Sequence, residues 1–291
     1  MIHSMTGYGA YSASSPNYKV SVELKSLNGK FLELNLKIPR NYMQNEMNLR
    51  TFLTNSLKRG KVNGVLTVDI LNPSKNPLRV NRPILNAYVA EMKDLTEELG
   101  IKAELTMEYL MSLPNVVESD FQDVDAEEWG MIELSFQYAV RDLLVSREEE
   151  GKALERDLRI RCDIILSTLV EVEKMLPERM KTVRNRLLQS VSEMKDNFNV
   201  DVNRFEQELI YYIEKLDSNE EVVRLQKHID YFSQTLDEDE SNGKKLSFIS
   251  QEMGREINTI GSKANDADIQ MLVVRMKEEL EKIKEQVQNI L

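Results

Sequence analysis

Cysteine and histidine are scarce in this chain, and each shortage removes a class of protein. Among 291 residues there is one cysteine, Cys162, and there are two histidines, His3 and His228. A single cysteine cannot form an internal disulfide, and a zinc site built from cysteine and histidine is excluded. Any bound metal ion must therefore rely largely on carboxylates.

Long apolar runs and a secretory leader are also missing. No stretch approaches the roughly 20 apolar residues needed to cross a bilayer, and the first residues lack the basic start and apolar run of a signal peptide. With 41% apolar and 30% charged residues, the composition is that of a soluble globular protein. We therefore expect a cytoplasmic protein with no membrane partner. Its formal charge of −11 argues against non-specific binding to nucleic acid as the default.

Proline and glycine become rare after Pro114. Six of the seven prolines and six of the eleven glycines fall at or before that residue. Because both residues break helices, the rest of the chain can be almost entirely helical and the first part cannot. We predict an α+β fold, with an N-terminal mixed α/β domain that contains an antiparallel hairpin and a largely all-α region that ends in a coiled-coil-like helix. The predicted parts are an N-terminal domain (1–120), a long helical connector (121–200) and a C-terminal helical catalytic domain (201–291).

Apolar periodicity predicts the strands and helices of the first part. Alternating apolar residues over 18–24 and 32–38, on either side of Asn28-Gly29, predict that these two strands form the hairpin. Further strands are expected over 2–11 and 61–71. Helices are expected over 43–57, closed by Gly60, and from Pro83 to Leu99. Gly7-Tyr8-Gly9 is interpreted as a turn or a backbone crossing rather than a nucleotide loop, because no Walker lysine accompanies it.

After Pro114 the apolar residues recur every three or four positions, which is typical of amphipathic helices. From Ile269 to Ile290 this spacing predicts a coiled-coil-like seam, either within the chain or between chains. Gly261 is expected to end the preceding helix, and Asn265-Asp266 to cap the last one.

The segment from Lys19 to Lys61 is locally basic, with nine basic and three acidic residues. Lys25 and Lys37 fall on the polar side of their predicted strands, opposite the apolar residues, so they share a surface. A basic sheet face is suited to following a phosphate backbone. An ordinary solvated face would have the same pattern.

Two polar groups border apolar helical stripes in the C-terminal part. Glu221, Arg224 and His228 are spaced i, i+3, i+7, within about 60° of one another on a helix, and a partly buried histidine beside a carboxylate is suited to general base catalysis. Glu252 and Glu256, at i and i+4, can share a divalent cation. The alternatives are a surface salt bridge with a structural histidine, and carboxylates that face solvent near lysines.

Several blocks of sequence resemble one known family, the YicC family of bacterial endoribonucleases, which includes a YloC-like branch. The blocks are Ile2 to Gly9, Val22 to Leu32, Lys58 to Val62, Glu148-Glu149-Glu150-Gly151, Gly243 to Phe248, Gln251 to Asn258, Gly261 to Asp266 and Glu281 to Asn289. Two residues, Ser250 and Gly254, depart from the family pattern. Gly254 costs about 1 kcal/mol of helix propensity relative to alanine, which bears on whether Glu252 and Glu256 share a straight helix.

The resemblance implies a cytoplasmic, metal-dependent endoribonuclease that acts on single-stranded or structured small RNA and assembles as a ring-like hexamer with a central cavity. On this reading Glu252 and Glu256, with Asp266 nearby, hold Mn²⁺ or Mg²⁺. His228 acts as acid and base or orients a water, Glu221 fixes its tautomer, and Arg224 and Lys263 offset the phosphate charge. The residues expected to contact RNA are Lys25, Lys30, Lys37, Arg40, Arg59, Lys61 and Lys263.

Three alternatives stay open at this point. In a metal-free reaction, His228 removes the 2′-OH proton, the 2′ oxygen attacks the adjacent phosphorus and displaces the 5′ oxygen of the next nucleotide, and a 2′,3′-cyclic phosphate is left. The protein could instead be a non-catalytic RNA-binding clamp or adaptor that recruits another ribonuclease. A helical scaffold that oligomerises through the seam from Ile269 to Ile290 is the third.

Overall fold

The computed structural model describes most of the chain, namely residues 2–75, 78–100, 106–119, 124, 126–195, 202–238 and 242–291. Its strands are β1 (Gly7–Ser14), β2 (Tyr18–Leu27), β3 (Leu32–Lys37), β4 (Gly60–Ile70), β5 (Leu78–Val80) and β6 (Val117–Ser119). Its α-helices are α1 (Glu46–Ser56), α2 (Arg82–Leu99), α3 (Met107–Ser112), α4 (Ala126–Lys195), α5 (Val202–Leu216), α6 (Asn219–Leu236), α7 (Gly243–Ala264) and α8 (Ala267–Val287). Two short 3₁₀ helices cover Arg40–Asn45 and Pro73–Lys75. The predicted α+β class is confirmed.

The N-terminal sheet has four strands in the order β1-β2-β4-β3. Strands β1 and β2 form an antiparallel hairpin, β2 also pairs antiparallel with β4, and β3 pairs parallel with β4. A hairpin is therefore present, but the predicted pairing of 18–24 with 32–38 is wrong because β4 lies between those strands. Parallel neighbours need a crossover connection, and α1 supplies it between β3 and β4.

The start of β4 requires Gly60, which the sequence predicts as the end of a helix. Helix α1 ends earlier, at Ser56, with Leu57 as its C-cap. Gly60 instead begins β4 with a φ of 112°, a conformation that residues with a side chain rarely adopt. The predicted strand over 61–71 and the helix that starts near Pro83 are both confirmed.

Helix α4 crosses β1 at very short range. A Cβ atom added at Gly9 would lie 2.2 Å from the carbonyl oxygen of Ala139. Of the two interpretations of Gly7-Tyr8-Gly9, the backbone crossing is confirmed and the turn is wrong, since the segment is part of β1 and only glycine leaves room for the helix backbone.

Helix α4 belongs to two hydrophobic cores. Near its beginning, Phe136 and Leu143 pack in the core beneath the sheet. Farther along, Leu158 and Ile165 pack in a second core with α6, α7 and α8. At 1.5 Å per residue, this 70-residue helix is about 105 Å long. The division of the chain at residues 120 and 200 stays a prediction.

The seam on α8 lies inside the chain. Ile269, Val273, Met276 and Leu280 are buried in the second core, where α8 contacts α4 and α7. The alternative of a scaffold that oligomerises through this seam is therefore wrong. Helix α7 continues through Gly261 to Ala264, so Gly261 does not end it.

The two ends of the chain meet beside the sheet. Leu291 N donates to His3 O at 2.9 Å, and Asn28 Nδ2 donates to Gln288 O at 2.9 Å. The buried Arg147 guanidinium adds hydrogen bonds to Ser26 Oγ and Arg59 O, and burial lowers its pKa. These contacts hold the edge of the sheet against α4 and against the segment after α8. Within the described residues, no helix is long and apolar enough to span a membrane.

Candidate active site on the polar edge of helices α6 and α7

Helices α6 and α7 pack as an antiparallel pair with a polar edge. Near the start of α6, Glu221 Oε1 accepts a hydrogen bond from Lys263 Nζ at 2.8 Å. At the other end of the pair, Lys245 Nζ donates to Glu238 Oε1 at 2.6 Å. These two contacts fix which residues of the two helices lie side by side.

The register places His228 at the level of Glu256. His228 lies seven residues after Glu221, and Glu256 lies seven residues before Lys263. Seven residues are two helical turns, or about 10.5 Å, and the helices run in opposite directions. The fold thus brings together the histidine stripe of α6 and the carboxylate stripe of α7, which are more than 20 residues apart in sequence.

Two largely buried glutamates on this edge have incompletely paired carboxylates. Glu221 is 6% exposed, and its Oε2 atom is buried with no hydrogen-bond partner in the part of the chain that the structure describes. Glu256 is 9% exposed and makes no hydrogen bond or ion pair to any described residue. A buried carboxylate oxygen without a partner is costly, so the unpaired Oε2 atom of Glu221 calls for a functional explanation.

Glu252 lies one turn from Glu256 and pairs with Arg255 Nη1 at 2.6 Å. Helix α7 is continuous here despite Gly254, which lies against Leu280 of α8. Glu252 and Glu256 therefore share one side of a regular helix.

Asp266 does not join these two carboxylates in the single chain. It lies ten residues beyond Glu256, about 15 Å at the helical rise. Its Oδ1 accepts from the backbone N–H groups of Asp268 and Ile269, so it caps α8, as the sequence predicts. Among the described residues, no three histidine, cysteine, aspartate or glutamate side chains are grouped so that they could hold a metal ion.

The other predicted partners of His228 are engaged elsewhere. Glu221 is bound by Lys263, so the expected contact that fixes the histidine tautomer is not made in this structure. Arg224 is exposed and pairs with Glu220 on the outside of α6. His228 itself is half-buried and makes no hydrogen bond to another described residue.

Basic residues of the sheet lie on its exposed outer face, but they do not form a continuous basic surface. Lys25, Lys37 and Lys61 are exposed there, in register with strands that also expose Glu23 and Glu33. Lys25 Nζ lies 5.8 Å from the centre of the Tyr8 ring. Arg40 is exposed in the first 3₁₀ helix, apart from these strands. The outer face is therefore mixed in charge.

Lys30 and Arg59 lie elsewhere, in a cavity of about 350 Å³ between the sheet and the C-terminal helices. Lys244 and Ser247 at the beginning of α7 line the same cavity. Sequence reasoning missed these two residues. The available signal was Gly243-Lys244-Lys245 at a helix start, but only the fold places Lys244 beside Arg59.

Comparisons with known proteins cover the whole of this architecture. Residues 2–156 match the family described as "Endoribonuclease YicC-like, N-terminal region", and residues 172–291 match "Endoribonuclease YicC-like, C-terminal". A "Probable endoribonuclease YicC" of Clostridioides difficile (strain 630) is 34% identical over 292 residues, and one of Haemophilus influenzae (strain ATCC 51907 / DSM 11121 / KW20 / Rd) is 30% identical over 290. Both alignments cover 100% of each chain. The chain belongs to the YicC-like endoribonuclease family.

Proposed function

We propose that this protein is an endoribonuclease that cleaves RNA phosphodiester bonds at the polar edge of α6 and α7. The observation that carries the proposal is the buried, unpaired Oε2 atom of Glu221, on an edge that also holds Glu256 and His228. Both relatives described above bear the name of a probable endoribonuclease. The edge supplies the acid, base and cationic groups that phosphodiester hydrolysis needs.

Glu252 and Glu256 are the proposed holders of a divalent cation, Mg²⁺ or Mn²⁺. Mg²⁺ usually keeps several waters and binds one or two carboxylates together with substrate phosphates, so two carboxylates on one helix side fit it without a third protein ligand. When bound, such a cation polarises a phosphoryl oxygen and lowers the pKa of a coordinated water.

The remaining side chains have roles that follow from their positions. His228, level with Glu256, accepts or returns a proton at the reacting oxygen. Lys263 provides positive charge for the phosphate and is itself positioned by Glu221. Arg224, on the outer side of α6, contributes at most to the electrostatic potential at the entrance to the proposed site.

The proposed enzyme works in the cytoplasm as a ring, a hexamer, whose cavity receives single-stranded or structured small RNA. Support for an assembly comes from α2, which is amphipathic yet buries none of its residues in the described chain. Its Leu95 and Leu99 are 45% and 63% exposed. A second copy of the chain that covers α2 would remove this apolar surface from water.

The test is a cleavage assay on a defined RNA hairpin, with protein purified from a nuclease-deficient host. We expect Glu256→Gln and His228→Ala each to lower the cleavage rate at least about 100-fold, the usual scale of acid–base catalysis. Asp230→Asn, exposed on the same helix, is the matched control and should retain the wild-type rate. Chelation of divalent cations should abolish cleavage and leave no 5′-phosphate ends.

Other outcomes identify the alternatives. A 2′,3′-cyclic phosphate that persists with chelator indicates the metal-free reaction through His228. Tight RNA binding with no cleavage by the wild-type protein indicates the clamp or adaptor. Full activity of both variants contradicts the proposed site.

A further inference from the structure

The cavity between the sheet and the C-terminal helices has no role in the chemistry described above. It has a volume of about 350 Å³, within the range of small-molecule sites. The polar side chains that line it come from the loop after β2, the segment before β4, and the adjoining ends of α7 and α8. They are Asn28, Lys30, Arg59, Lys244, Ser247 and Gln288.

The charge of this lining is entirely positive. Lys30, Arg59 and Lys244 contribute cations, and no carboxylate side chain is among the lining residues. None of the three forms an ion pair with any residue that the structure describes. Lys30 Nζ instead lies 5.6 Å from the centre of the Phe31 ring, and Arg59 Nε donates to Lys30 O at 3.0 Å.

Several basic residues of the C-terminal helices do have acidic partners, unlike the three that line the cavity. Lys245, next in sequence to Lys244, pairs with Glu238 at 2.6 Å, and Arg255, Lys263 and Lys284 of α7 and α8 each pair with a carboxylate as well. In a chain of charge −11, three cations held around one cavity without acidic partners repel one another. An anion in the cavity removes that repulsion.

Backbone N–H groups also favour an anion in this cavity. Helix α7 begins at this cavity, and the Asn242 side chain does not cap it but donates through Nδ2 to Thr235 O. No described side chain caps the first N–H groups of α7, which lie at the positive end of its dipole and suit an anion. Helix α8 ends here too, but its terminal carbonyls at Gln288 and Asn289 already accept from Asn28 Nδ2 and Met5 N.

We propose that this cavity is a phosphate-binding subsite for an RNA strand, separate from the polar edge of α6 and α7. The identity of the strand as RNA rests on the proposed function, whereas the preference for phosphate rests on the cavity itself. Phosphate oxygens match guanidinium, ammonium and helix N-terminal donors. The phosphate comes either from the 5′ end of the strand or from an internal diester, and both present the same oxygens to Lys30, Arg59 and Lys244.

The experiment measures binding of a short single-stranded RNA, with a 5′-phosphate or a 5′-hydroxyl, to the full chain in chelator, which stops the proposed metal-dependent cleavage. Gel analysis of the RNA afterwards verifies that it is intact. Lys244→Gln is expected to raise the Kd about tenfold, the scale of one charge-assisted hydrogen bond. It should also make the slope of log K against log salt shallower by about 0.7. Lys245→Gln is the matched control, since that lysine is already paired, and should bind as the wild type does.

The outcomes are distinct. A loss confined to the 5′-phosphorylated RNA identifies a terminal phosphate, and an equal loss on both RNAs identifies an internal one. Unchanged binding by Lys244→Gln, or an equal effect of Lys245→Gln, overturns the subsite. Lys244 is exposed, and thermal unfolding of each variant verifies that it is folded. Because binding is measured without divalent cations, failure of the cleavage proposal leaves this result intact.

Discussion

Single glycines in this protein are required by helices and strands that are distant in sequence. Gly9 lies beneath α4, where a Cβ would meet the Ala139 carbonyl oxygen at 2.2 Å and the Leu143 backbone nitrogen at 2.4 Å. By contrast, a Cβ at Gly130, on α4 itself, would have no atom within 4 Å. The same substitution therefore has opposite effects at the two sites.

We expect Gly9→Ala to destabilise the protein by about 1–3 kcal/mol, because the strand and helix must separate to admit the methyl group. Gly130→Ala should stabilise it by about 0.5–1 kcal/mol through helix propensity. Urea unfolding followed by circular dichroism measures both. Equal midpoints for the two variants would contradict the close crossing.

At the scale of elements, charged side chains connect the last helix to α4. Glu279 of α8 accepts from Arg161 Nη1 of α4 at 2.9 Å and from Lys282 Nζ at 2.6 Å. The hydrogen bond from Lys282 lowers the pKa of Glu279 most, partial burial opposes it, and the bond from Arg161 lowers it further. A carboxyl whose pKa is depressed by folding stabilises the protein at neutral pH, and this stabilisation is lost as pH falls through its folded pKa.

Glu279→Gln should therefore lower stability at pH 7 by about 1 kcal/mol, allowing for solvent screening of the pair. The difference from wild type should shrink as the pH falls through the depressed pKa of Glu279. Thermal unfolding between pH 7 and pH 3 measures it, with the adjacent exposed Glu278→Gln as control. A deficit that persists unchanged in acid would show that the carboxylate charge is not responsible.

The helices and strands differ in how well the sequence predicts them. The boundaries of α2 follow from local signals, since Asn81 accepts from Ile84 N at its start and Gly100 ends it in the left-handed conformation. The strand that pairs with β3 does not follow from local signals, because alternation of apolar residues indicates only that a strand has one buried side. Insertion of β4 between β2 and β3 depends on α1 as a crossover, which the Asn28-Gly29 signal for a hairpin obscured.

At the scale of the whole molecule, α4 connects the core beneath the sheet with the second core, which it forms with α6, α7 and α8. Cys162 lies on α4 within the second core, where burial raises the pKa of its thiol to about 12. Since the thiolate is the reactive form, the folded chain should be nearly inert to alkylation. As the only cysteine, Cys162 reports on opening of this core without interference.

We expect iodoacetamide at pH 8 to modify the native protein at least about 100-fold more slowly than the protein unfolded in urea. Mass spectrometry over time gives both rates. Comparable rates would mean that α4 separates readily from α6, α7 and α8.

The sequence by itself determined the class of fold, the amphipathic helices, the cap at Asp266 and the residue types of the proposed edge. These depend on neighbours within a turn or two of helix or within one strand. Only the tertiary structure decided that Lys263 binds Glu221, that His228 lies level with Glu256, and that Lys30, Arg59 and Lys244 surround one cavity. Each of these arrangements joins segments whose alignment is set by packing over the whole chain, and periodicity carries no information about which distant segment lies beside a given one.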